Sequence, residues 1–280
     1  MLAQSSNLCC EIVQYSDADE TAVCNLASVA LPAHVVRVAE HPPSLDYVQL
    51  MATVRQLVRN LNMVIDNNHY PTPECSWSNM RHRPVAIGVQ GFADVLAVLG
   101  LAFDDPKTLV VNEQIFAHIY YAALEASCEL ARVHGPYESY HGSPTSKGIL
   151  QFDMWGVEPA TAPLLDWPAL RRRIGSYGLR NSLLTAVMPT ASTAQILGNT
   201  EAVDPVQSNV RYARALSPPM RALTPPHHLP HTPAVQPADA GGELPAAQRA
   251  PGRGPRRHMG RGNGAVLTLA PRLHRGPPRH

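Results

Sequence analysis

The feature that most restricts the fold is an apolar, glycine-containing stretch at residues 84–91 that leads directly into a second apolar stretch at residues 92–101. The first stretch alternates apolar and small residues over a length typical of a buried strand, and the second is long enough for a short helix. A strand followed by a helix is the repeating unit of parallel α/β folds, in which helices cover the sheet. We therefore predict an α/β fold.

Further helices are predicted on both sides of this unit. Ser44 can cap a helix whose apolar residues recur every three or four positions: Tyr47, Leu50, Val54, Leu57, Leu61 and Ile65. Asp105 and Pro106 supply a cap and a first-turn proline for a longer helix that ends at Gly135. Residues 181–188 are predicted to form a strand, followed by a hydroxyl-rich loop and a helix that begins at residue 194.

The composition divides the chain into a body, residues 1–216, and a tail, residues 217–280. The tail has no Phe, Trp or Tyr, and it holds 13 of the 27 prolines and nine arginines against two acidic residues. Its charge is therefore about +7 although the whole chain is near neutral, which makes the body acidic. A Pro/Arg/Gly-rich segment without aromatic residues cannot bury enough apolar surface to offset its ordering entropy. We predict a disordered tail.

Two cysteines near the start of the chain are the first candidate functional residues. Asn7, Cys9 and Glu11 alternate, so they point to one side if the segment is extended. Cys24 follows within reach of a hairpin or a neighbouring strand, which would bring a second sulfur close to the first. A structural interpretation stays open, because cysteine is commonly a small, inert, buried residue. No metal site is predicted, since the spacing fits no pattern of Cys and His ligands.

The hydroxyl-rich loop is a second candidate. Thr190, Ala191, Ser192 and Thr193 lie where the predicted strand leads into a helix, and free amides with added hydroxyl donors favour an anion such as a phosphate. Ordinary capping of the helix by Ser192 or Thr193 explains the same residues equally well.

Several classes of protein are not favoured by the sequence. The glycines after the predicted strand lack dinucleotide-site spacing, and no phosphate-cradling NTPase loop is present. No 18 apolar residues run together, so no membrane span is indicated, and five cysteines, an odd number, favour a reducing cytoplasm. The basic tail has no aromatic platforms for bases, so nucleic-acid binding is not expected.

At its cysteines and beyond, the sequence resembles the large, catalytic subunit of class I ribonucleotide reductase. The likeness covers roughly residues 5–216. It rests on motifs in the order of that family: Asn7-Leu8-Cys9-x-Glu11-Ile12, Val23-Cys24-Asn25-Leu26-Ala27-Ser28, Arg81-His82-Arg83-Pro84, Gly88-Val89-Gln90-Gly91, Gly135-Pro136-Tyr137-Glu138, Ser146-Lys147-Gly148-Ile149-Leu150-Gln151 and Pro189-Thr190-Ala191-Ser192-Thr193-Ala194-Gln195.

The resemblance implies part of a ten-stranded α/β barrel with a central finger loop, and reduction of a ribonucleoside diphosphate to its 2′-deoxy form. Cys9 matches the cysteine that becomes a thiyl radical, Glu11 the base for the 3′ hydroxyl, and Asn7 the amide that orients the sugar. Cys24 matches one of two cysteines that supply electrons by forming a disulfide, and Thr190 to Thr193 match the loop that holds the substrate diphosphate.

The resemblance also implies partners. These are a metal-containing small subunit that generates the radical, thioredoxin or glutaredoxin, and a second large subunit, with no cofactor held by this chain. The second redox cysteine and the sites for ATP and deoxynucleotide effectors belong to parts of the family that this sequence does not contain, so an incomplete subunit is expected. A non-catalytic fragment that keeps a subunit-binding surface is the alternative.

Overall fold

The computed structural model describes residues 3–5, 8–206 and 266–269, and of the first and last ranges the backbone only. These residues belong to one of two compact units, and the other, residues 210–261, lies outside the described part. The helices are α1 Tyr47–Asn67, α2 Pro73–His82, α3 Phe92–Leu99, α4 Pro106–His134, α5 Gln151–Trp155, α6 Trp167–Tyr177 and α7 Ala191–Leu197. The strands are β1 Ala3–Ser5, β2 Val13–Tyr15, β3 Leu26–Ala30, β4 Val35–Val36, β5 Ser44–Leu45, β6 Ala86–Gln90 and β7 Val266–Leu269.

A parallel sheet centred on β3 forms the framework. Strand β6 pairs with β3 from Leu26 opposite Ala86 to Ala30 opposite Gln90, and β7 pairs with the other edge of β3. The prediction of an α/β fold is confirmed. A closed barrel of ten strands is not formed by the residues that the structure describes.

Residues 183–186 run beside β6 but form less regular structure than predicted. One parallel bridge joins Ile87 and Thr185, with hydrogen bonds from the Ile87 amide to the Leu184 carbonyl (2.9 Å) and from the Ala186 amide to the Ile87 carbonyl (3.3 Å). The predicted strand over residues 181–188 is therefore reduced to this short pairing. Within the described residues the segment pairs along one edge only, which limits how far a ladder can extend.

Gly88 allows residues 186–188 to lie close to β6. A Cβ atom at Gly88 would lie 2.5 Å from the Met188 sulfur and 2.6 Å from the Ala186 carbonyl oxygen. Both separations are shorter than any ordinary van der Waals contact. The close approach of residues 186–188 to the sheet thus requires glycine at this position.

The predicted helices form with one change of cap. Helix α1 is capped by Asp46, whose carboxylate accepts a 2.9 Å hydrogen bond from the Gln49 amide, whereas Ser44 lies in β5. Helix α4 begins as predicted, with Asp105 accepting from the Lys107 amide at 2.8 Å. Both caps satisfy amides that the first helical turn leaves free.

The main core lies between the sheet and the two long helices. Ala27 and Val29 of β3 and Ile87 and Val89 of β6 share this core with α1, which contacts both strands, and with α4, which packs against α1. The helix residues of the core include Leu50, Val54, Leu57, Leu61, Ile115 and Ile119. Burial of each large aliphatic side chain contributes about 1.5–3 kcal/mol. Since alternate strand residues face these helices, the remaining ones face the opposite side of the sheet.

Most of the predicted disordered tail lies outside the described residues, and there it stays a prediction. Val266–Leu269 are the exception, because they form β7. The physical reason is local: these four residues are a β-favouring run without proline in a proline-rich segment. In the part of the chain that the structure describes, no helix has the length and apolar character needed to cross a bilayer.

Candidate functional site

Cys9 lies on the loop of an antiparallel hairpin made by β1 and β2. The Ile12 amide donates to the Cys9 carbonyl at 2.9 Å, which closes a turn that contains Cys10 and Glu11. The extended conformation on which the alternation of Cys9 and Glu11 depended is therefore not formed, because a hairpin must reverse its direction here. Asn7, the third member of that alternation, lies outside the described residues.

The hairpin nevertheless brings the two cysteines together. Cys9 and Cys24 both pack against a small buried cluster of Ile12, Ala86 and Met188. This cluster, which also contacts Leu26 and Ala186, lies on the face of the sheet opposite α1 and α4. The proximity predicted for the two sulfurs is thus found, although no described cysteine takes part in a disulfide.

Burial raises the pKa of both thiols. For Cys9, the negative charge of Glu11 adds to the effect of burial, followed by Cys10. For Cys24, burial is followed by Cys9 and then by Glu11, so the Glu11 carboxylate influences both sulfurs. A thiol with a raised pKa stays protonated at neutral pH and is a poor thiolate nucleophile or metal ligand. The site therefore presents S–H groups.

The segment between the hairpin and Cys24 is fixed by Glu20, which is only 3% exposed. Its carboxylate pairs with the Arg81 guanidinium and lies 2.6 Å from His82 Nε2, while His82 Nδ1 lies 2.6 Å from the Ser139 hydroxyl. Sequence reasoning missed Glu20, because its partners on α2 are about 60 positions away and no local pattern links them. In the described residues no group of His, Cys, Asp and Glu side chains is arranged to hold a metal ion.

The hydroxyl-rich loop begins two residues after Met188 of the cysteine cluster. Helix α7 starts at Ala191 rather than at residue 194, which places Ser192 and Thr193 inside its first turn. The alternative of capping by Ser192 or Thr193 is therefore wrong. Thr190 stands at the cap position, but its hydroxyl accepts from the Ala202 amide at 2.8 Å instead of capping the helix.

The exposure of the loop residues differs. Ala191 and Ser192 are exposed, Thr193 is half-buried and donates its hydroxyl to the Thr190 carbonyl at 3.2 Å, and Thr190 is buried. Thr190 and Thr193 thus hold the loop in shape. No side chain caps the first amides of α7, and the Ser192 side chain is exposed. The loop can present donors to an anion.

A cavity of about 450 Å³ lies between α4, the region of α5 and residues 185–187, and it shares Ala186 with the cysteine cluster. Its lining is mainly apolar and includes the aromatic side chains of Phe116, Tyr120, Phe152 and Trp167. Its lining includes none of the predicted site residues and no cysteine. The chemistry of the cysteine cluster, rather than cavity size, therefore identifies the candidate site.

The chain is similar to known proteins over most of its length. Residues 3–228 match the family model described as ribonucleotide reductase, barrel domain. The chain is 53% identical over 224 residues to the ribonucleoside-diphosphate reductase large chain 2 of Saccharomyces cerevisiae, covering 79% of this chain and 25% of the relative. It is 52% and 51% identical over 220 residues to the large subunits of Caenorhabditis elegans and Danio rerio, each match covering 79% of this chain and 27% of the relative. The chain thus spans about a quarter of the length of these curated relatives.

Proposed function

The chain belongs to the ribonucleotide reductase barrel-domain family, and from that membership we propose that it supplies part of the active site that reduces ribonucleoside diphosphates to 2′-deoxyribonucleoside diphosphates. The observation that carries the proposal is the packing of Cys9 and Cys24 against one cluster with Met188, directly before the hydroxyl-rich loop. In this proposal the described strands form part of a ten-stranded barrel, with the Cys9 hairpin as its finger loop.

Cys9 carries the radical step. Its S–H hydrogen leaves as one proton and one electron, taken over by a radical-generating, metal-containing small subunit. The resulting thiyl radical removes the hydrogen atom from the 3′ carbon of the ribose and returns it at the end of the reaction. The raised pKa of Cys9 supports this role, because hydrogen-atom exchange needs the protonated thiol.

Glu11 and Asn7 act on the sugar hydroxyls. Glu11 takes the 3′ hydroxyl proton as a general base, and its influence on the pKa of both thiols supports a position near the two sulfurs. Asn7 orients the hydroxyls through its side-chain amide, a role that rests on the family motif alone.

Cys24 supplies reducing equivalents. Two thiols become one disulfide and give up two electrons and two protons, and the 2′ hydroxyl departs as water. The second thiol is the family's cysteine upstream of the finger loop. Thioredoxin or glutaredoxin then reopens the disulfide by thiol exchange.

The hydroxyl-rich loop holds the diphosphate of the substrate. Ser192 and the first amides of α7 are the donors, Ala191 lets the chain approach closely, and Thr190 and Thr193 keep the loop in shape. A second large subunit and effector sites for ATP and deoxynucleotides complete the assembly in this proposal.

A chimera tests the proposed function. Residues 8–206 would replace the matching segment of the yeast large chain, and diphosphate reduction would be measured with the small subunit and a thiol reductant. We expect an active chimera that loses at least about a thousandfold in kcat with Cys9→Ser. Cys10→Ser is the matched control, since this neighbouring thiol is exposed on the same turn. Equal activity of both variants would refute the radical role of Cys9, and a folded but inactive chimera would favour the non-catalytic alternative.

A further inference from the structure

Cys24 is followed by a buried amide to which no role in the mechanism has been given above. Asn25 is 3% exposed and lies directly before β3. Neighbouring residues of an extended chain face opposite sides, so Asn25 points away from the cysteine cluster while Cys24 faces it. The side chain of Asn25 can therefore fix the backbone of Cys24 without touching the sulfur.

Asn25 is held to three separate points. Its side-chain Nδ2 donates to Asn79 Oδ1 at 2.7 Å and to the Pro84 carbonyl at 2.8 Å. Its backbone carbonyl accepts from the Ala86 amide at 2.9 Å. These partners lie on α2, on the residue pair that precedes β6, and on β6 itself. A residue bonded to three elements cannot shift without breaking buried hydrogen bonds.

The bonds continue beyond Asn79, which is fully buried. Asn79 Nδ2 donates to the Tyr70 hydroxyl at 2.6 Å, and that hydroxyl donates to the Ile65 carbonyl at the end of α1, also at 2.6 Å. The start of β3 is thus connected through α2 to α1. Buried, fully satisfied polar groups of this kind specify one arrangement of the elements that they join.

We propose that Asn25 and Asn79 are positioning residues that set where the Cys24 sulfur lies relative to Cys9. This inference rests on the proposed function for its importance, because a disulfide forms and reopens only when the sulfurs meet in a defined geometry. Neither amide touches a reacting atom. Both act through the backbone of Cys24.

The chain contains a matched control. Asn181 is also fully buried, and its Nδ2 likewise donates to another asparagine, Asn62 Oδ1 at 3.2 Å, and to a backbone carbonyl, that of Arg83 at 2.8 Å. This second asparagine pair joins α1 to the chain before residues 183–186 and makes no bond to residues 24 or 25. Replacement of Asn25 or of Asn181 by aspartate therefore removes one bond donated to an asparagine and one donated to a backbone carbonyl.

The test is alkylation of each thiol by iodoacetamide in the full chain, followed by mass spectrometry. We expect Asn25→Asp to raise the rate at Cys24 about tenfold, because the new carboxylate faces two acceptors and the start of β3 moves. Asn181→Asp should leave the Cys24 rate within about twofold. Cys75 and Cys128 are buried and report global unfolding, so they should stay protected in both variants.

A milder variant decides the matter if Asn25→Asp does not fold. Tyr70→Phe removes only the oxygen that receives the Asn79 bond, and we expect it to raise the Cys24 rate about threefold. The inference is overturned if Asn25→Asp and Asn181→Asp change the Cys24 alkylation rate equally at equal stability. It is also overturned if a folded Asn25→Asp protein leaves that rate unchanged. If Asn25→Asp does not fold, an unchanged rate in Tyr70→Phe overturns it.

The yeast chimera separates this inference from the proposed function. In an active chimera, Asn25→Asp should lower kcat with little change in KM, since substrate binding does not use the asparagine pair. An inactive parent chimera would refute the proposed function while the alkylation result still stood. An active chimera whose kcat is indifferent to Asn25→Asp would refute the positioning role alone.

Discussion

The two cysteines of the site are carried by very different pieces of structure. Cys9 lies on a hairpin loop whose neighbours are open to solvent: Leu8 is 73% exposed, and Cys10 and Glu11 are also exposed. Cys24 lies two residues before the central strand of the parallel sheet, and the nearby Asn25 and Ala27 are only 3% and 1% exposed. Both cysteines pack against one small cluster, but the backbone of Cys9 belongs to a turn, whereas that of Cys24 leads into the main framework.

The two cysteines show how unequal structural support can serve one site. Segments with few buried contacts open at a lower free energy than those in the core, so the hairpin should open more readily than β3. In the proposed reaction the Cys9 loop meets the sugar, whereas Cys24 must meet a second thiol repeatedly in one geometry. Rigid support is needed most where a bond forms and breaks.

Gly88→Ala should give the largest effect, because it changes the packing of the parallel sheet that supports Cys24. The added Cβ would overlap the Met188 sulfur and the Ala186 carbonyl, and residues 186–188 would have to move away from β6. We expect a loss of about 3 kcal/mol in the free energy of unfolding, measured with urea.

Gly175→Ala is the control for that substitution. Gly175 lies inside α6 with no atom within 4 Å of an added Cβ and no positive φ. It should be neutral or should stabilise by up to about 1 kcal/mol. Equal effects of the two alanines would show that residues 186–188 do not pack closely on the sheet.

Lowering the pH should decrease the free energy of unfolding by a smaller amount than Gly88→Ala does. His34 follows β3, is buried, and has Nδ1 3.1 Å from the Ala30 carbonyl and Nε2 3.0 Å from the Thr53 hydroxyl. Burial lowers its pKa below the ordinary 6.5, against the opposing effect of the Ala30 bond. The unfolded chain therefore binds a proton at a pH where the folded chain does not, so this contribution to stability is complete above pH 6.5 and is lost as the pH falls.

Urea unfolding at about pH 7.5 and about pH 5.5 checks this prediction. The decrease in unfolding free energy between the two should be smaller in His34→Gln than in the parent. His41→Gln, at an exposed histidine, should leave the decrease unchanged. An unchanged decrease in His34→Gln would show that His34 takes no part in the pH dependence.

Glu11→Gln should give the smallest effect, and it tests the hairpin side. Loss of the charge lowers the pKa of both thiols. Glu11 raises the pKa of Cys9 more than Cys10 does, whereas it raises the pKa of Cys24 less than Cys9 does. We expect alkylation at a fixed pH to rise about two- to threefold at Cys9 and less at Cys24, and salt to reduce the difference. The control Glu113→Gln, at an exposed residue of α4, should change neither rate. A larger rise at Cys24 would mean that the carboxylate lies nearer the framework than the turn implies.

Much of the framework could be predicted from local patterns. The apolar period of α1, the Asp105-Pro106 start of α4 and the strand–helix unit of β6 and α3 are all present. The cap of α1 was misplaced by two residues, because Ser44 and Asp46 both have capping side chains and only pairing of β4 with β5 removes Ser44 from the choice. The start of α7 was misplaced because several hydroxyl residues in a row give no unique cap.

The site could be predicted only in part. Cys9 and Cys24 stood out by residue type, but the turn at Cys9 depends on the pairing of β1 with β2, which alternation in the sequence concealed. The pairing of Glu20 with Arg81 and His82, like that of Asn25 with Asn79, joins residues more than 50 positions apart. Local patterns carry no record of such contacts.

The sequence by itself determined the two long helices α1 and α4, the strand–helix unit of β6 and α3, and which residue types are available for chemistry. These properties follow from interactions within a few residues, where periodicity and capping act. Only the tertiary structure decided that two thiols share one cluster beside the hydroxyl-rich loop and that one of them is backed by a buried amide. Those arrangements depend on how distant elements pack, and burial, which also sets the pKa of each thiol, exists only after packing.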